Sequence, residues 1–414
     1  MATNNNNKAL NVPHLRFPEF TEEWKNTSLG KIGKTFNGLT GKSGSDFGQG
    51  FPYITYKSIF DNSKIDISRV EYVEITDIER KKETQNKVQY GDVFFTTSSE
   101  TPDEVGMSSV LLDEIKDCYL NSFCFGYRLN SLSKTVPEYM RFYLRSQTIR
   151  KKMFVLAQGS TRFNISKSKV MGMSINIPEI EEQRKIANLL TLLDDRIATQ
   201  NKIIEDLKKL KSAISKHLFA RKDLLETTIC LSDIATLKNG YAFQSGMYNA
   251  LGKWKILTIS NVSGERYIND KDCNCIIKLP NDIQNHQVLK EGDILISLTG
   301  NVGRVSLCKA GDYLLNQRVG LLQLAKNVDQ EFLYQILSSQ RFENNMIACG
   351  QGAAQMNIGK GDVESFVLPY SSNVNNIRLV AKILHLYDEC VINELRRLIL
   401  LTMQKQYFLA QMFI

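Results

Sequence analysis

No stretch of this chain is apolar for the length that a membrane-spanning helix requires. Its opening, MATNNNNKAL, lacks a basic segment followed by an apolar one, so it does not read as a secretory leader; a disordered or tag-like tail is expected. There is no Cys-x-x-Cys pair among the eight cysteines. Cys273 and Cys275 form a Cys-x-Cys with no second pair to complete a zinc site, and the four histidines are scattered. Buried free thiols in a reducing cytoplasm are expected, and neither a metal nor a disulfide framework. A Walker sequence is missing, which argues against ATP hydrolysis by this chain alone. So are a glycine-rich dinucleotide loop after a strand and an Asn- or Asp-Pro-Pro-aromatic stretch for holding a flipped base, which argues against a methyltransferase. Pro102-Asp103 with Glu114-Ile115-Lys116 spells a loose nuclease pattern, in which two carboxylates would hold a magnesium ion. Such a pattern arises readily by chance, and the second half of the chain does not repeat it.

What is present is ordinary in bulk. A length of 414 residues suits two to three domains, and 43% apolar residues suits a globular protein. The net charge of +8, from 52 basic and 44 acidic residues, is compatible with a nucleic-acid partner without requiring one. A chain this mildly basic would bind random DNA weakly, because that affinity scales with the phosphates neutralised.

The strongest signal is a helix that occurs twice. Over residues 181–221 the apolar residues Ile186, Leu190, Leu193, Ile197, Ile204, Leu207, Ile214 and Leu218 recur in alternating steps of three and four, with polar breaks at Gln200 and Lys211. That is a coiled-coil seam. An offset of 194 gives Val380, Leu384, Tyr387, Val391, Leu398, Leu401, Phe408 and Met412, with polar breaks at Glu394 and Lys405. The two lysines suit a tight seam poorly. Either their stems snorkel to water near the helix ends, or they face a partner protein or a DNA phosphate.

The segments before the helices repeat too. Leu29, Ile32, Asn37 and Gly38 return as Leu231, Ile234, Asn239 and Gly240. Gly91-Asp92-Val93 returns as Gly292-Asp293-Ile294, Leu120-Asn121 as Leu315-Asn316, Glu138-Tyr139-Met140 as Glu331-Phe332-Leu333, and Gln158-Gly159…Asn164-Ile165 as Gln351-Gly352…Asn357-Ile358. In the first copy the pattern predicts a strand or turn over 24–38, strands over 51–59 and 70–75, a turn at 90–92 feeding a buried strand, and one helix over 137–152. The domain plan is a strap at 1–21, a globule at 22–178, a helix at 179–222, a second globule at 223–372 and a second helix at 373–414. The fold class is α/β (α+β). Two copies in one chain read as a pseudo-dimer with an approximate two-fold axis, which makes the helices antiparallel and lets their seams zip together. Each helix is about 40 residues, or roughly 60 Å. The expected product is two globules held apart by a rod. A spacer between related but diverged globules can measure the distance between two unlike half-sites on DNA.

The chain resembles the specificity subunit of a Type I DNA restriction–modification enzyme. The resemblance rests on the opening Leu15-Arg16-Phe17-Pro18-Glu19-Phe20 strap, the helix start Ile180-Glu181-Glu182-Gln183-Arg184-Lys185-Ile186-Ala187, the Gly-Asp turns and the Gln-Gly loops. The second helix start, Asn375-Asn376-Ile377-Arg378-Leu379-Val380-Ala381, lacks the glutamates and the glutamine. The resemblance implies a non-catalytic subunit in the cytoplasm whose two target-recognition domains each read half of a split, asymmetric DNA target. It implies that the helices set the gap and help to dock two methyltransferase subunits, and through them restriction/translocase subunits. S-adenosylmethionine, ATP and magnesium would bind those partners, and no cofactor or metal this chain. An adaptor joining proteins without DNA contact is the alternative.

Candidate DNA-reading residues are polar side chains on the glycine-rich loops. In the first copy they are Lys34, Asn37, Lys42, Ser43, Lys57, Thr97, Ser98, Ser99, Gln158, Ser160, Thr161, Arg162 and Asn164. In the second they are Lys238, Asn239, Tyr241, Thr299, Asn301, Arg304, Gln317, Arg318, Gln351, Gln355 and Asn357. Arg, Asn and Gln pair with base edges, while Lys and Ser grip phosphates. Asn37 and Asn239 read first as Asn-Gly turns and only second as base readers, while Gln158 and Gln351 read equally as ties between a loop and the core.

Overall fold

The computed structural model describes residues 11–350 and 356–414; the polar tail at 1–10 and the candidates Gln351 and Gln355 lie outside the described residues. The chain divides into two compact units. One joins the residues up to Thr199 with Leu398–Ile414, and the other is Gln200–Arg397. Each unit therefore combines one globule with part of each long helix.

In the first unit a four-stranded antiparallel sheet runs in the order Gly33–Asn37, Cys124–Leu129, Val93–Thr96, Ser108–Val110. A smaller sheet sets Phe47–Ile54 between Glu71–Val73 and a parallel partner, Tyr119–Leu120. The second unit repeats the plan. Its larger sheet runs Ala235–Asn239, Val319–Leu324, Ile294–Ser297, Val305–Leu307, and its smaller sheet gains a fourth strand, Val288–Leu289. The repeated Gly-Asp pairs explain themselves. Gly91 and Gly292 have φ of 84° and 88°, which a glycine adopts without strain. The following carboxylate then accepts the N–H three residues back, from Gln89 and Lys290, both at 2.8 Å. That closes the turn into the central strand.

The long helices span Ile180–Ala220 and Val374–Gln411. Their ends are part of the globular cores. Ile186, Leu190, Leu193 and Met412 share a core with Phe95, Phe125, Tyr139 and Tyr143. Leu218, Val380 and Leu384 share one with Ile296, Phe332 and Tyr334. Each such side chain contributes about 2 kcal/mol by burial. Ile204 and Val391 are buried as well, and Ile197, Leu207, Ile214, Tyr387, Leu398, Leu401 and Phe408 are half-buried. The helices pair antiparallel. In the first unit Asp194 meets Lys405 at 2.5 Å, and in the second Asp388 meets Lys211 at 2.6 Å, the same pair displaced by the repeat. The lysines thus do not reach for open water: an aspartate beside the seam neutralises each one. Gln200 donates to the Glu394 carboxylate at 2.5 Å and to its carbonyl at 3.1 Å, so this polar seam residue meets its own counterpart in the repeat.

The helix starts differ for a visible reason. Glu182 is fully buried and takes Arg16 of the strap bidentately, at 2.7 Å to each oxygen. Gln183 accepts from the Val136 N–H at 2.9 Å and donates to the Pro178 carbonyl at 2.9 Å. In the second copy Asn376 stands where Glu182 does and donates to the Leu224 carbonyl at 3.1 Å, while Ile377 is buried in the place of Gln183.

Four expectations need correction. The strand predicted at 51–59 is Phe47–Ile54, because Thr55 caps a helix, Tyr56–Asp61, by accepting from the Ser58 N–H. The helix predicted over 137–152 is two, Pro137–Tyr143 and Gln147–Leu156, because Ser146 caps the second through the Ile149 N–H. Asn37-Gly38 and Asn239-Gly240 are strand ends, not turns, and neither glycine has positive φ. All eight thiols are free, but Cys349 and Cys390 are exposed. No helix among the described residues is long and apolar enough to cross a membrane.

Candidate nucleic-acid interface

At one end of the first unit four segments are tied together by main-chain bonds. Leu39, just past the strand Gly33–Asn37, donates to the Leu120 carbonyl at 2.7 Å. Thr97, just past the central strand, donates its N–H at 3.1 Å and its hydroxyl at 2.7 Å to the Phe123 carbonyl. The Thr97 carbonyl in turn accepts from the Ile165 N–H at 2.9 Å. Gln158 and Asn164 exchange main-chain bonds of 2.9 and 2.8 Å, closing the loop between them. Gln158, Ser160, Thr161, Arg162 and Asn164 are all exposed on it. The Gln158 main chain is thus a tie to the loop, while its side chain stands in solvent.

The second unit repeats the framework. Tyr241 donates to the Leu315 carbonyl at 2.8 Å, Leu298 to the Arg318 carbonyl at 3.0 Å, and Ile358 to the Leu298 carbonyl at 2.9 Å. Thr299 and Asn357 form a bridge, their side chains bonded at 3.1 Å. Asn301, Gln317 and Arg318 are exposed around it. The Tyr241 hydroxyl donates to Asp282 at 2.8 Å, and this bond raises its pKa above the usual phenol value. Arg162 and Arg318 have no ion-pair partner among the described residues.

Other candidates are committed elsewhere. Lys42 is almost fully buried against Glu79 at 2.8 Å, and the ammonium pulls that carboxyl down to about 2. The Ser43 hydroxyl donates to Asp46 at 3.0 Å. Ser98 and Ser99 are buried, with Ser99 donating to Glu104 at 3.2 Å. Arg304 faces Glu343 at 3.7 Å. Lys34 and Lys57 are exposed, on a strand and on the helix Tyr56–Asp61, and Lys238 is half-buried in a strand. The Asn239 carbonyl bonds to His286 at 3.0 Å, and the Asn37 side chain accepts from Lys167.

Sequence reasoning passed over Lys167 and the pair Ser122-Phe123. Lys167 lies 5.9 Å from the Phe125 ring, and burial lowers its pKa. Phe123 is 62% exposed. The signal available for it was the repeat, since Ser122-Phe123 follows Asn121 as Gln317-Arg318 follows Asn316. Taken together, each end offers exposed amide and guanidinium donors on a rigid frame, the chemistry that reads base edges.

Comparison with known proteins bears on this geometry. The family model described as Type I restriction modification DNA specificity domain matches residues 21–209 and again residues 226–402. The putative type I restriction enzyme MjaX specificity subunit of Methanocaldococcus jannaschii is 25% identical over 404 residues, which is 93% of this chain and 91% of the relative. The type I restriction enzyme HindI specificity subunit of Haemophilus influenzae is 24% identical over 250 residues, 59% of this chain and 51% of that one. Among solved structures, the Type-I restriction-modification S subunit from M. genitalium matches 97% of this chain and 99% of its own, with a TM-score of 0.58 and 16% identity. A structure concerned with complex assembly and conformational transition of the type I R-M system matches 93% of this chain and 96% of its own, with a TM-score of 0.57 and 17% identity. These two share its fold. With both globules and most of both helices matched by the one model, the chain belongs to the Type I restriction–modification DNA specificity family.

Proposed function

We propose that this chain reads a split DNA target and assembles the enzymes that act on it. Each globule reads one half of an asymmetric sequence through the end described above. The paired helices set the gap between the halves and carry the docking surface for two methyltransferase subunits, which in turn admit restriction/translocase subunits. Adenine methylation and cleavage belong to those partners, with S-adenosylmethionine, ATP and magnesium, in the cytoplasm. One observation carries the reading: the two ends share a main-chain framework but expose different side chains at matching places, Ser122 and Phe123 on one, Gln317 and Arg318 on the other. A shared frame with diverged tips suits two unlike half-sites.

The test is co-expression with the cognate methyltransferase subunit, followed by mapping of methylated adenines in the host genome. One split motif with a fixed gap is expected. Methylation without sequence preference, or its absence from the complex, would sink the reading.

A further inference from the structure

Within the reading just given, the four-residue turns at 121–124 and 316–319 stand out because their backbones are held alike and their tips are not. In each, the leading asparagine accepts through its side chain from the third residue's N–H, at 2.7 Å for Phe123 and 3.1 Å for Arg318. Its carbonyl accepts from the fourth, at 3.1 Å for Cys124 and 2.9 Å for Val319. Its own N–H donates to a strand of the smaller sheet, Asn121 to Ile54 at 3.0 Å and Asn316 to Leu257 at 3.2 Å. The third residue's carbonyl is held by Thr97 or Leu298. A glycine closes the remaining side. A Cβ on Gly38 would sit 2.0 Å from the Asn121 carbonyl oxygen, and one on Gly240 would sit 2.2 Å from that of Asn316.

The fourth residues, Cys124 and Val319, are buried, whereas the two middle side chains of each turn are exposed and differ: Ser122 and Phe123 in one, Gln317 and Arg318 in the other. The fold keeps a phenyl ring 62% in solvent on a backbone that cannot retract it. An apolar ring contacts the thymine methyl group in a major groove, whereas a guanidinium pairs bidentately with guanine O6 and N7. We propose that this turn is the base-reading element of both units, with Phe123 packing on a thymine methyl and Arg318 pairing with a guanine. The two halves of the target then differ because one rigid turn carries two chemistries. Rigid placement matters here, since a bidentate pair tolerates little misalignment.

The test uses the full chain with its methyltransferase partner and reads methylated adenines genome-wide. Arg318→Ala is expected to relax one G·C position about 5- to 150-fold, in one half only. Phe123→Ala is expected to relax one A·T position in the other half. Grafting Ser122→Gln with Phe123→Arg should put a guanine requirement in place of that position. The unaltered half of the motif reports that each variant is folded and bound. An unchanged motif in both single variants, or a loss in Arg318→Ala that is uniform across sequences as for a phosphate contact, would overturn the proposal and leave the two-headed reading intact. A wild-type complex without any split motif would overturn both.

Discussion

Asp194 and Asp388 occupy the same position beside the seam on the two long helices, and each gathers a lysine and an arginine. Asp194 binds Lys405 and, at 2.6 Å, Arg141 from the helix Pro137–Tyr143. Asp388 binds Lys211 and, at 2.9 Å, Arg266, which also grips Glu331 bidentately at 2.8 and 2.5 Å. The arginine comes from a different place in each copy. Tyr334 stands where Arg141 does, and its ring lies 5.0 Å from the Arg266 guanidinium. The clamp between globule and helix has been kept while its donor moved. Asp388→Ala leaves the mostly buried Lys211 without a carboxylate and Arg266 with Glu331 alone, so a loss of about 3 kcal/mol is expected in denaturant unfolding. Replacing Lys211, Arg266, Glu331 and Asp388 together by apolar residues of similar size, so that no charge is left unpaired, should recover most of that loss. Glu79 makes a pH-dependent contribution. Its carboxyl lies at about 2 because Lys42 donates to it, so its stabilisation is complete above the ordinary value of 4.5 and is lost as pH falls from there toward 2. Acid unfolding of the Lys42→Met variant should keep only the smaller part of that component, which the Thr76 N–H and hydroxyl supply. Spacing alone could not expose this pair, whose members are 37 residues apart.

At the scale of elements, legibility followed period and repetition. The long helices, the Gly-Asp turns and the closed Gln158 loop were readable because each occurs twice or keeps a strict period. The breaks at Thr55 and Ser146 were not, because one side-chain oxygen accepting one N–H decides them and leaves the apolar pattern untouched. The turn at 121–124 was half legible: its repeat at 316–319 marks it, but half of its exposed pair is a phenyl ring, which has no group that pairs with a base edge. The same turn gives a prediction of its own. Gly240→Ala forces a Cβ into the Asn316 carbonyl, a clash that costs about 1–3 kcal/mol or moves the turn. Its expected signature is weakened discrimination in one half of the target, measured by methylation mapping, with the other half unaffected. The helices give a second. Inserting one heptad at equivalent places in both keeps the seam apolar and lengthens each by about 10 Å. The motif's gap should then grow by about three base pairs at 3.4 Å each, with both halves unchanged.

For the whole molecule, the decisive property is that each unit has its own core, its own four-stranded antiparallel sheet and its own candidate interface. The first core runs from Trp24 to Phe413 and the second from Leu218 to Leu384. A globule cannot be exchanged by cutting at the helix ends without regard to these cores, because Ile377, Val380 and Leu384 pack against Phe332 and Leu333 in the second. A swap that replaces residues 225–372 with the corresponding segment of a related subunit must therefore preserve the apolar face that meets those helix residues and a cation for Asp388. With those kept, methylation mapping should show a new sequence in one half of the motif, the old sequence in the other and the original gap. A change in both halves would mean that the reading ends are not independent. A changed gap with one half altered would mean that spacing depends on the globule's seat as well as on helix length.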